Sequence, residues 1–575
     1  MTSRKTGAEL VVAALEDEGI ALAFGIPGTH NIELYDALHA SSSVRAVLVT
    51  DEQSASFMAD AACRASGRMA CVNVVPGAGL THAMSGIAEA FLDGIPMLVL
   101  GCGIRRDTGK AYQLHEVDQA GLARPVTKAQ LLPANGGELY ETVRRACRIA
   151  REGVPGPVFV EVPADQYLFR HDAEPKKPAP AVPPPAPRDE EVARAAKLLE
   201  NARRPLLYVG LGAAGAGDDL VALAERLASP VSTTFQGKGV FPESHPLWLW
   251  PGFGDAAPPF VREIAASCDA TLAIGCRFGE VATGSYGVTP PRPLIHVDID
   301  PGVPGRNYPA DLAVAADAAL FVRALLARLG PRPPDEALRL GLREGHAELT
   351  RELSRPSDGR VAPHLLLRAI QQEFGPATVF TSDSGNGTFL AVEGLRLDRP
   401  GRLLSPVDFS CMGYAVPAAI GAKLAAPDAP VVALAGDGAF LMTGLELLTA
   451  AQNGLGVAVF VLRDRELAQI AQFQSTALGR KSASELPDYD LAGLARSLGV
   501  AALSVSHDSE IPAAVRRARE LSEKGRPVLV DAAIDYSVKT YFTRGVVKTN
   551  FLRLPWPDRL RFVARALSRK ALPGD

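Results

Sequence analysis

The chain has 575 residues, of which 47% are hydrophobic and 22% are charged, and its formal net charge at pH 7 is −4. At about 150 residues per domain, this length predicts three or four domains. The balanced charge argues against a dedicated nucleic-acid binder, and the lack of any apolar run of about 18 residues argues against a membrane-spanning helix. Seven scattered cysteines without a CxxC pair predict reduced thiols and a cytoplasmic location.

The distribution of proline divides the chain into domains. A proline-rich segment, 171–189, predicts an extended linker between an N-terminal domain over 1–170 and a central domain over 190–335. A second boundary near 330–360 precedes the last domain, 360–575, which ends in a basic C-terminal arm.

Short apolar runs alternate with stretches of helical period in all three domains. In chain order the runs are VRAVLVT, MACVNVV and PMLVLGCG; then RPLLYVGLG, ATLAIGC and PLIHVDID; then ATVFTSD, VVALAGDG, VAVFVLRD and PVLVDAAI. Continuous β-branched runs suit strands that are buried on both faces of a sheet. The predicted fold class is therefore α/β, with three doubly wound parallel-sheet domains.

Acidic residues follow two neighbouring strands predicted in the last domain. Strand Val431–Ala435 leads into the turn GDG, and strand Val457–Leu462 leads into Asp464. Because ligands of open α/β sheets bind beyond the carboxyl ends of the strands, we expect Asp437 and Asp464 to lie side by side. Two carboxylates suit a hard cation such as Mg²⁺, which in turn holds phosphate oxygens. The alternative is that GDG is only a turn and Asp464 only a surface residue.

The segment GDGAFLMTGLELLTAAQNGLGVAVFVLRD resembles the diphosphate-binding motif of thiamine-diphosphate-dependent enzymes of the acetolactate synthase, pyruvate decarboxylase and benzaldehyde lyase group. PVDFSCMGYAVPAAIGAKL resembles the segment before that motif. FGIPGTHNIELYDAL and VLVTDEQSASFMADAACRASG resemble the pyrimidine-binding domain of the group, and GKGVFPESHP and HVDIDP resemble its central domain. The resemblance covers nearly the whole chain and implies a pyrimidine-binding, a central and a diphosphate-binding domain.

The resemblance implies how thiamine diphosphate and Mg²⁺ would be bound. Asp437 and Asp464 would bind the metal through their side chains, and Glu466 would bind it through its carbonyl. Four further residues would contact the cofactor: Gly436, Gly438, Gly385 and Asn386.

Three more residues would act on the aminopyrimidine ring. Glu52 would contact the ring nitrogen N1′ and activate the cofactor; the alternative is a solvated acid at the start of a helix. The Ser410 carbonyl would accept a hydrogen bond from the 4′-amino group. Met412 would force the cofactor into its bent shape, although methionine also serves simply to fill irregular gaps in a core.

The chain departs from the family pattern at the metal site. The usual Asn-Asn pair is Arg463-Asp464 here, which adds a negative charge beside a diphosphate. An uncompensated buried charge is costly, so Arg463 or Arg465 is expected to offset it.

Candidate substrate-side residues come from both ends of the chain. His30 and His115 could shuttle protons near neutral pH, or could be structural, and Gln113 is a candidate substrate contact beside His115. Ile470 stands where similar pyruvate decarboxylases carry a glutamate. The absence of this acid favours carboligation over simple aldehyde release. Phe473 matches a synthase tryptophan that contacts the acceptor, which predicts a differently shaped acceptor pocket.

Two regions leave alternatives open. Val281 replaces an arginine that true acetolactate synthases place near acceptor and flavin, and GLGAAG at 210–215 is by itself weak evidence for a dinucleotide. FAD therefore stays an open third cofactor. The basic residues of 539–570 form either a solvated helix face or an arm that covers the site and attracts an anionic substrate.

The resemblance implies a thiamine-diphosphate- and Mg²⁺-dependent carboligase or lyase. It would decarboxylate a 2-oxo acid such as pyruvate and transfer the acyl carbanion to a second carbonyl. The family builds its sites between subunits, so we expect a homodimer or homotetramer in which Glu52 of one chain serves the cofactor of another. The rivals are a non-ligating decarboxylase, a C–C lyase on another donor, and a degenerate relative that binds cofactor without catalysis.

Overall fold

The computed structural model describes residues 4–172 and 182–571, so residues 173–181 of the predicted linker lie outside the described part. Three six-stranded sheets follow one another along the chain, and every strand pair within them is parallel. This confirms the predicted α/β fold with three doubly wound domains. Each of the apolar runs picked out in the sequence contains a strand, because a parallel sheet covered by helices on both faces needs apolar residues in both directions.

The first sheet has the strand order β3-β2-β4-β5-β7-β6. Its strands are β2 Leu22–Gly25, β3 Arg45–Leu48, β4 Cys71–Val74, β5 Met97–Gly103, β6 Ala129–Leu131 and β7 Pro157–Pro163, while β1 Lys5–Thr6 and β8 Arg170–His171 form a separate antiparallel pair. The helices are α1 Gly7–Asp17, α2 Ile32–Ala40, α3 Glu52–Ser66, α4 Ala78–Asp93, α5 Gln119–Ala123, α6 Leu139–Arg151 and α7 Ala164–Leu168, with 3₁₀ turns at Arg124–Val126 and Gly136–Glu138.

The central sheet has the strand order β11-β10-β9-β12-β13-β14, which is the order of the dinucleotide-binding fold. Its strands are β9 Pro205–Val209, β10 Val231–Thr233, β11 Trp248–Pro251, β12 Ala270–Ile274, β13 Leu294–Asp298 and β14 Leu312–Ala315. The helices are α8 Asp189–Asn201, α9 Gly217–Leu227, α10 Pro259–Ala266, α11 Ala318–Leu326 and α12 Glu336–Leu353, with a 3₁₀ helix at Leu211–Ala216.

The last sheet has the strand order β16-β15-β17-β18-β20-β19. Its strands are β15 Val379–Ser382, β16 Leu403–Leu404, β17 Val431–Gly436, β18 Val457–Arg463, β19 Ala501–Val505 and β20 Val528–Ala533. The helices are α13 Pro363–Phe374, α14 Asn386–Gly394, α15 Ala415–Ala425, α16 Asp437–Thr443, α17 Leu447–Gln452, α18 Ala468–Leu478, α19 Leu491–Ser497, α20 Ile511–Glu523, α21 Tyr541–Arg553 and α22 Trp556–Ala571, with 3₁₀ turns at Gly444–Glu446 and Asp508–Glu510.

Helix α3 lies between α4 of its own domain and α15 of the last domain. Glycines stand at both contacts, and a side chain at either one would meet the backbone of α3. A Cβ at Gly86 would lie 2.9 Å from the Phe57 nitrogen, and a Cβ at Gly421 would lie 2.6 Å from the Met58 Cα. One continuous hydrophobic cluster therefore joins the first and last domains around α3.

The basic C-terminal arm folds back onto the last domain. Helix α22 packs against α18, and the Lys539 ammonium, just before α21, donates to Thr476 Oγ1 at 2.7 Å. Within the two described ranges, no helix combines the length and the apolar character needed to cross a membrane.

Candidate active site

A cavity opens at the carboxyl edge of the last sheet, where β15, β17 and β18 end. This edge includes the point between β15 and β17 at which the strand order reverses, where ligands of such sheets bind. The cavity is lined by Ser384, Gly385, Asn386, Gly387, Met412, Gly436, Asp437, Gly438, Ala439, Leu462, Asp464, Glu466, Leu467, Ala468, Gln469, Ile470 and Tyr536.

Asp437 is the first residue of α16 and is buried at the end of β17. Its Oδ1 accepts from the Gly438 N–H at 2.9 Å, and its Oδ2 accepts from the Arg465 N–H at 2.7 Å. The second contact ties the end of β17 to the end of the adjacent strand β18. Burial raises the pKa of Asp437 in spite of these bonds.

Asp464 follows β18 and lines the same cavity. Burial and the charge of Asp437 raise the pKa of Asp464 to about 7. Its Oδ1 accepts from the Glu466 N–H at 3.2 Å. The Glu466 carboxylate forms an ion pair with Lys481, so its carbonyl, and not its side chain, is the group left for a metal. A buried carboxylate that raises the pKa of a second, half-buried carboxylate is an arrangement that a divalent cation relieves.

The arginines beside Asp464 are engaged elsewhere, contrary to the expectation from the sequence. Arg463 pairs with Asp531 at 2.6 Å and also with Asp488, and Arg465 pairs with Asp488 at 2.8 Å. These carboxylates come from distant segments and draw both guanidinium groups away from Asp464. The cation that lowers the pKa of Asp464 is instead Arg360, which precedes α13.

The other predicted cofactor contacts surround the two aspartates. Asn386 is the first residue of α14. Its side chain is buried, yet its Oδ1 has no hydrogen-bond partner within the described residues. Gly385 has φ of 112°, a conformation that favours glycine. An unpartnered buried oxygen costs free energy unless a ligand satisfies it, so this wall of the cavity fits a polar group such as the one that the family binds.

The turn before α15 carries Ser410 and Met412. Ser410 has φ of 64°, which is strained for a residue other than glycine, and its hydroxyl lies 2.7 Å from that of Ser384. Met412 is half-buried and lines the cavity, where a Cβ at Gly438 would lie 3.7 Å from its methyl carbon. Met412 therefore projects into the cavity and does not lie in the core.

Glu52 lies at the carboxyl edge of the first sheet, as the first residue of α3. Its side chain is buried, so it is not a solvated helix-start acid. A Cβ at Gly79 would lie 3.1 Å from Glu52 Oε1, and His82 Nδ1 lies 3.4 Å from Oε2. Gly79 and His82 belong to the first turns of α4, so the start of that helix packs on the glutamate.

His30 and His115 meet at the same edge, with ring centroids 5.5 Å apart in an edge-to-face arrangement. Burial and the neighbouring His115 lower the pKa of His30, which favours its neutral form. His115 sits in a strained loop with φ of 67°. The Gln113 amide donates to the carbonyls of Arg105 and Lys110 at 2.9 and 3.1 Å, and thus braces that loop.

The predicted acceptor residues lie on α18. Ile470 is 48% exposed and lines the cavity, whereas Phe473 is half-buried one turn further along and is not among the lining residues. The basic arm covers the helix that carries both, because α22 packs on α18.

In the central domain, the glycine-rich turn is explained by packing within the protein. A Cβ at Gly212 would lie 3.0 Å from the Gly275 Cα, so the turn lies directly on the loop that follows β12. Val281, in the position of the missing arginine, packs on a small apolar cluster that includes Phe235 and Phe389.

Three residues near these edges were missed in the sequence. His82 could have been found, because it lies three residues after Gly79 on a helix and so faces the same side. Arg360 and Tyr536 carry no such signal, since each comes from a loop far along the chain. The cavity around Asp437 contains no residue of the first domain among those described, so Glu52 does not line it within one chain.

Family comparisons agree with this division. Residues 5–122 match the thiamine pyrophosphate enzyme N-terminal TPP binding domain, 192–325 match the central domain, and 383–532 match the C-terminal TPP binding domain. The "Probable acetolactate synthase large subunit" of Methanocaldococcus jannaschii is 33% identical over 556 residues, covering 92% of each chain. The acetolactate synthase large subunit of Corynebacterium glutamicum is 32% identical, covering 92% of this chain and 86% of its own.

The "Acetolactate synthase isozyme 3 large subunit" of Escherichia coli is 30% identical over 561 residues, covering 93% of this chain and 96% of its own. Identity at this level over nearly the full length of both chains goes well beyond one shared motif. The chain therefore belongs to the thiamine pyrophosphate enzyme family, and it is related to acetolactate synthase large subunits.

Proposed function

We propose that the protein is a thiamine-diphosphate- and Mg²⁺-dependent carboligase that decarboxylates a 2-oxo acid, such as pyruvate, and transfers its acyl group to a second carbonyl. The observation that carries the proposal is the pair of aspartates, buried Asp437 and half-buried Asp464, in one cavity beside the unpartnered Asn386 oxygen. When bound, thiamine diphosphate supplies a carbon nucleophile and an electron sink for the broken bond.

Some residues would bind the cofactor through charge, and others would fix its orientation through their shape. Asp437, Asp464 and the Glu466 carbonyl would hold Mg²⁺. Because the pKa of Asp464 is raised to about 7, metal binding near neutral pH would displace a proton from its side chain. The Ser410 carbonyl and the Met412 side chain would fix the orientation of the aminopyrimidine ring. Both belong to one turn, which is strained at Ser410 and lines the cavity at Met412, so their positions are set before the ligand arrives.

Glu52 would hold a proton at the N1′ atom of the ring. Its burial removes competing water, which strengthens its hydrogen bond to a ring nitrogen. His30, with its lowered pKa, is neutral near pH 7 and would accept or return a proton on the substrate side.

The cavity favours transfer to an acceptor over release of an aldehyde. Ile470 places an exposed apolar side chain at the cavity wall, where an acid would be needed to protonate the product carbon. The names of the relatives, acetolactate synthase large subunits, support a 2-oxo acid as donor and a second carbonyl as acceptor.

A second copy of the chain would complete the site. Four apolar side chains that follow Asp437 are between 47% and 57% exposed, namely Leu441, Met442, Leu445 and Leu448. Tyr112, Leu114 and Val117 are likewise exposed beside His115. Apolar surface next to the two edges, one at Asp437 and one at Glu52, is typical of a protein interface. We therefore propose a homodimer or a homotetramer in which Glu52 of one protomer faces the cavity of its partner.

Product analysis tests the proposal directly. The purified protein, supplied with thiamine diphosphate and Mg²⁺, is incubated with pyruvate and with a panel of 2-oxo acids and aldehydes, and the products are identified by mass spectrometry. We expect CO₂ and a 2-hydroxy-2-acyl acid or an acyloin. Stoichiometric free aldehyde would instead establish a non-ligating decarboxylase, cleavage of a non-decarboxylating donor would establish a C–C lyase, and absence of cofactor binding would establish a degenerate relative.

A further inference from the structure

The turn that carries Ser410 and Met412 is fastened to helix α4 of the first domain. The Cys411 N–H donates to Glu89 Oε2 at 3.1 Å, and the Cys411 thiol donates to the Ser85 carbonyl at 3.3 Å. Ser85 and Glu89 are one helical turn apart on α4. The central residue of the turn is thus held twice, while the next residue, Met412, lines the cavity.

Glu89 is fully buried in a crowded group of charges. Asp93 lies one turn further on α4, and Asp60 and Arg64 face Glu89 from α3. The only cation of this group, Arg64, already pairs with Asp60 at 2.8 Å and with Asp93 at 2.7 Å. Glu89 Oε1 has no hydrogen-bond partner within the described residues.

The more distant members of this group supply no free cation for Glu89. The Tyr414 hydroxyl donates to Asp60 at 2.5 Å, and the Asp408 N–H donates to Asp93 at 3.3 Å. The Asp408 carboxylate is itself paired with Arg277 of the central domain. Burial first, and then the charge of Asp93, raise the pKa of Glu89 to about 9.

We propose that Glu89 is a positioning residue: its side chain, through the bond to the Cys411 N–H, holds the Ser410–Met412 turn in the strained shape that binds the aminopyrimidine. The inference rests on the proposed function, because it concerns the same cofactor. The φ of 64° at Ser410 is unfavourable unless surrounding contacts enforce it. A neutral carboxyl accepts from Cys411 without adding a third negative charge beside Asp60 and Asp93.

Ionisation of Glu89 would loosen the turn. Because its pKa in the folded protein lies above that of the unfolded chain, the carboxyl contributes less to stability as pH rises from its unfolded pKa towards its folded pKa. Above that value, the new charge has no cation free to balance it. If only the neutral form holds the turn, cofactor affinity falls as the pH rises through the folded pKa of Glu89.

The test measures thiamine diphosphate binding in the presence of Mg²⁺ by intrinsic fluorescence from pH 7 to pH 9.5. Wild type is compared with Glu89→Gln, which is neutral at every pH, and with Glu89→Ala, which leaves the Cys411 N–H unpaired. We expect wild-type affinity to weaken towards pH 9.5 and Glu89→Gln to lack this loss. Glu89→Ala should bind about tenfold more weakly at every pH.

Thermal unfolding of the cofactor-free proteins over the same range is the second readout. Wild type should lose stability relative to Glu89→Gln as pH rises, a comparison that stands even if Glu89→Ala does not fold. Parallel pH profiles of binding for wild type and Glu89→Gln, or wild-type binding by Glu89→Ala, would overturn the positioning role. Failure of the wild type to bind the cofactor at any pH would refute the proposed function instead.

Discussion

The first and last domains have the same strand order but present different chemistry at the same edge. Both sheets run second, first, third, fourth, sixth, fifth along the chain, and both collect polar residues where the order reverses. The last domain gathers Asp437, Asp464 and Asn386 around a cavity, whereas the first groups Asp51, Glu52 and His82 and pairs His30 with His115. Under the proposed function, one topology would supply a site for metal and phosphate in one copy and a site for proton transfer in the other.

The largest expected effect comes from removing the acid of the last domain that is proposed to bind the metal. Asp437→Ala should abolish the Mg²⁺-dependent retention of thiamine diphosphate, because half of the side-chain ligand set is lost. Retention is measured by cofactor content after desalting. Asp428→Ala removes an exposed carboxylate outside the cavity lining and serves as the matched control. Equal retention by wild type and Asp437→Ala would show that this edge does not bind the cofactor.

The counterpart in the first domain should separate binding from turnover. Glu52→Gln keeps the shape of the side chain, so cofactor affinity should change little while kcat falls about 100-fold or more. Calorimetry and steady-state kinetics measure the two quantities. Asp51→Asn is the control, since Asp51 caps α3 through its contact with the Gln53 N–H at 2.8 Å and asparagine caps equally well. Unchanged turnover in Glu52→Gln would refute the proton-holding role.

A moderate effect is expected on α18, which borders the cavity of the last domain. Phe473→Trp should alter the preference among acceptors about tenfold while the KM for the donor changes less. Competition between two carbonyl acceptors, followed by mass spectrometry, measures the preference. Equal changes for donor and acceptor would indicate that Phe473 only packs within α18.

The smallest effect concerns the histidine pair of the first domain. His115→Asn removes the charge that helps to lower the pKa of His30, so that pKa should rise. If neutral His30 takes part in turnover, the acidic limb of the kcat/KM profile shifts to higher pH. His39→Asn, at an exposed position on α2, is the control. An unshifted limb would remove His30 from the reaction.

The sequence predicted the parts of the fold and site that depend on local pattern. Apolar runs marked the strands, and two acids after adjacent parallel strands had to meet at one edge, as Asp437 and Asp464 do. Glu52 required the family resemblance, because nothing in its neighbourhood distinguishes a buried acid at a helix start from an exposed one.

Contacts between distant segments could not be predicted from the sequence. Arg463 and Arg465 pair with Asp488 and Asp531, and no spacing rule selects these acids over Asp464. The bond between Glu89 and Cys411 likewise joins residues of different domains. Such pairings depend on how the helices of two domains pack, which single-sequence periodicity does not encode.

The glycines at 86 and 421 have a consequence for how such an enzyme changes over time. They let α4 and α15 approach the backbone of α3 closely on both sides, which fixes the position of the helix that begins at Glu52. Residues on the substrate-facing loops can vary without displacing Glu52, the group proposed to activate the coenzyme. New substrate ranges can therefore arise by mutation of these loops while the position of Glu52 is kept.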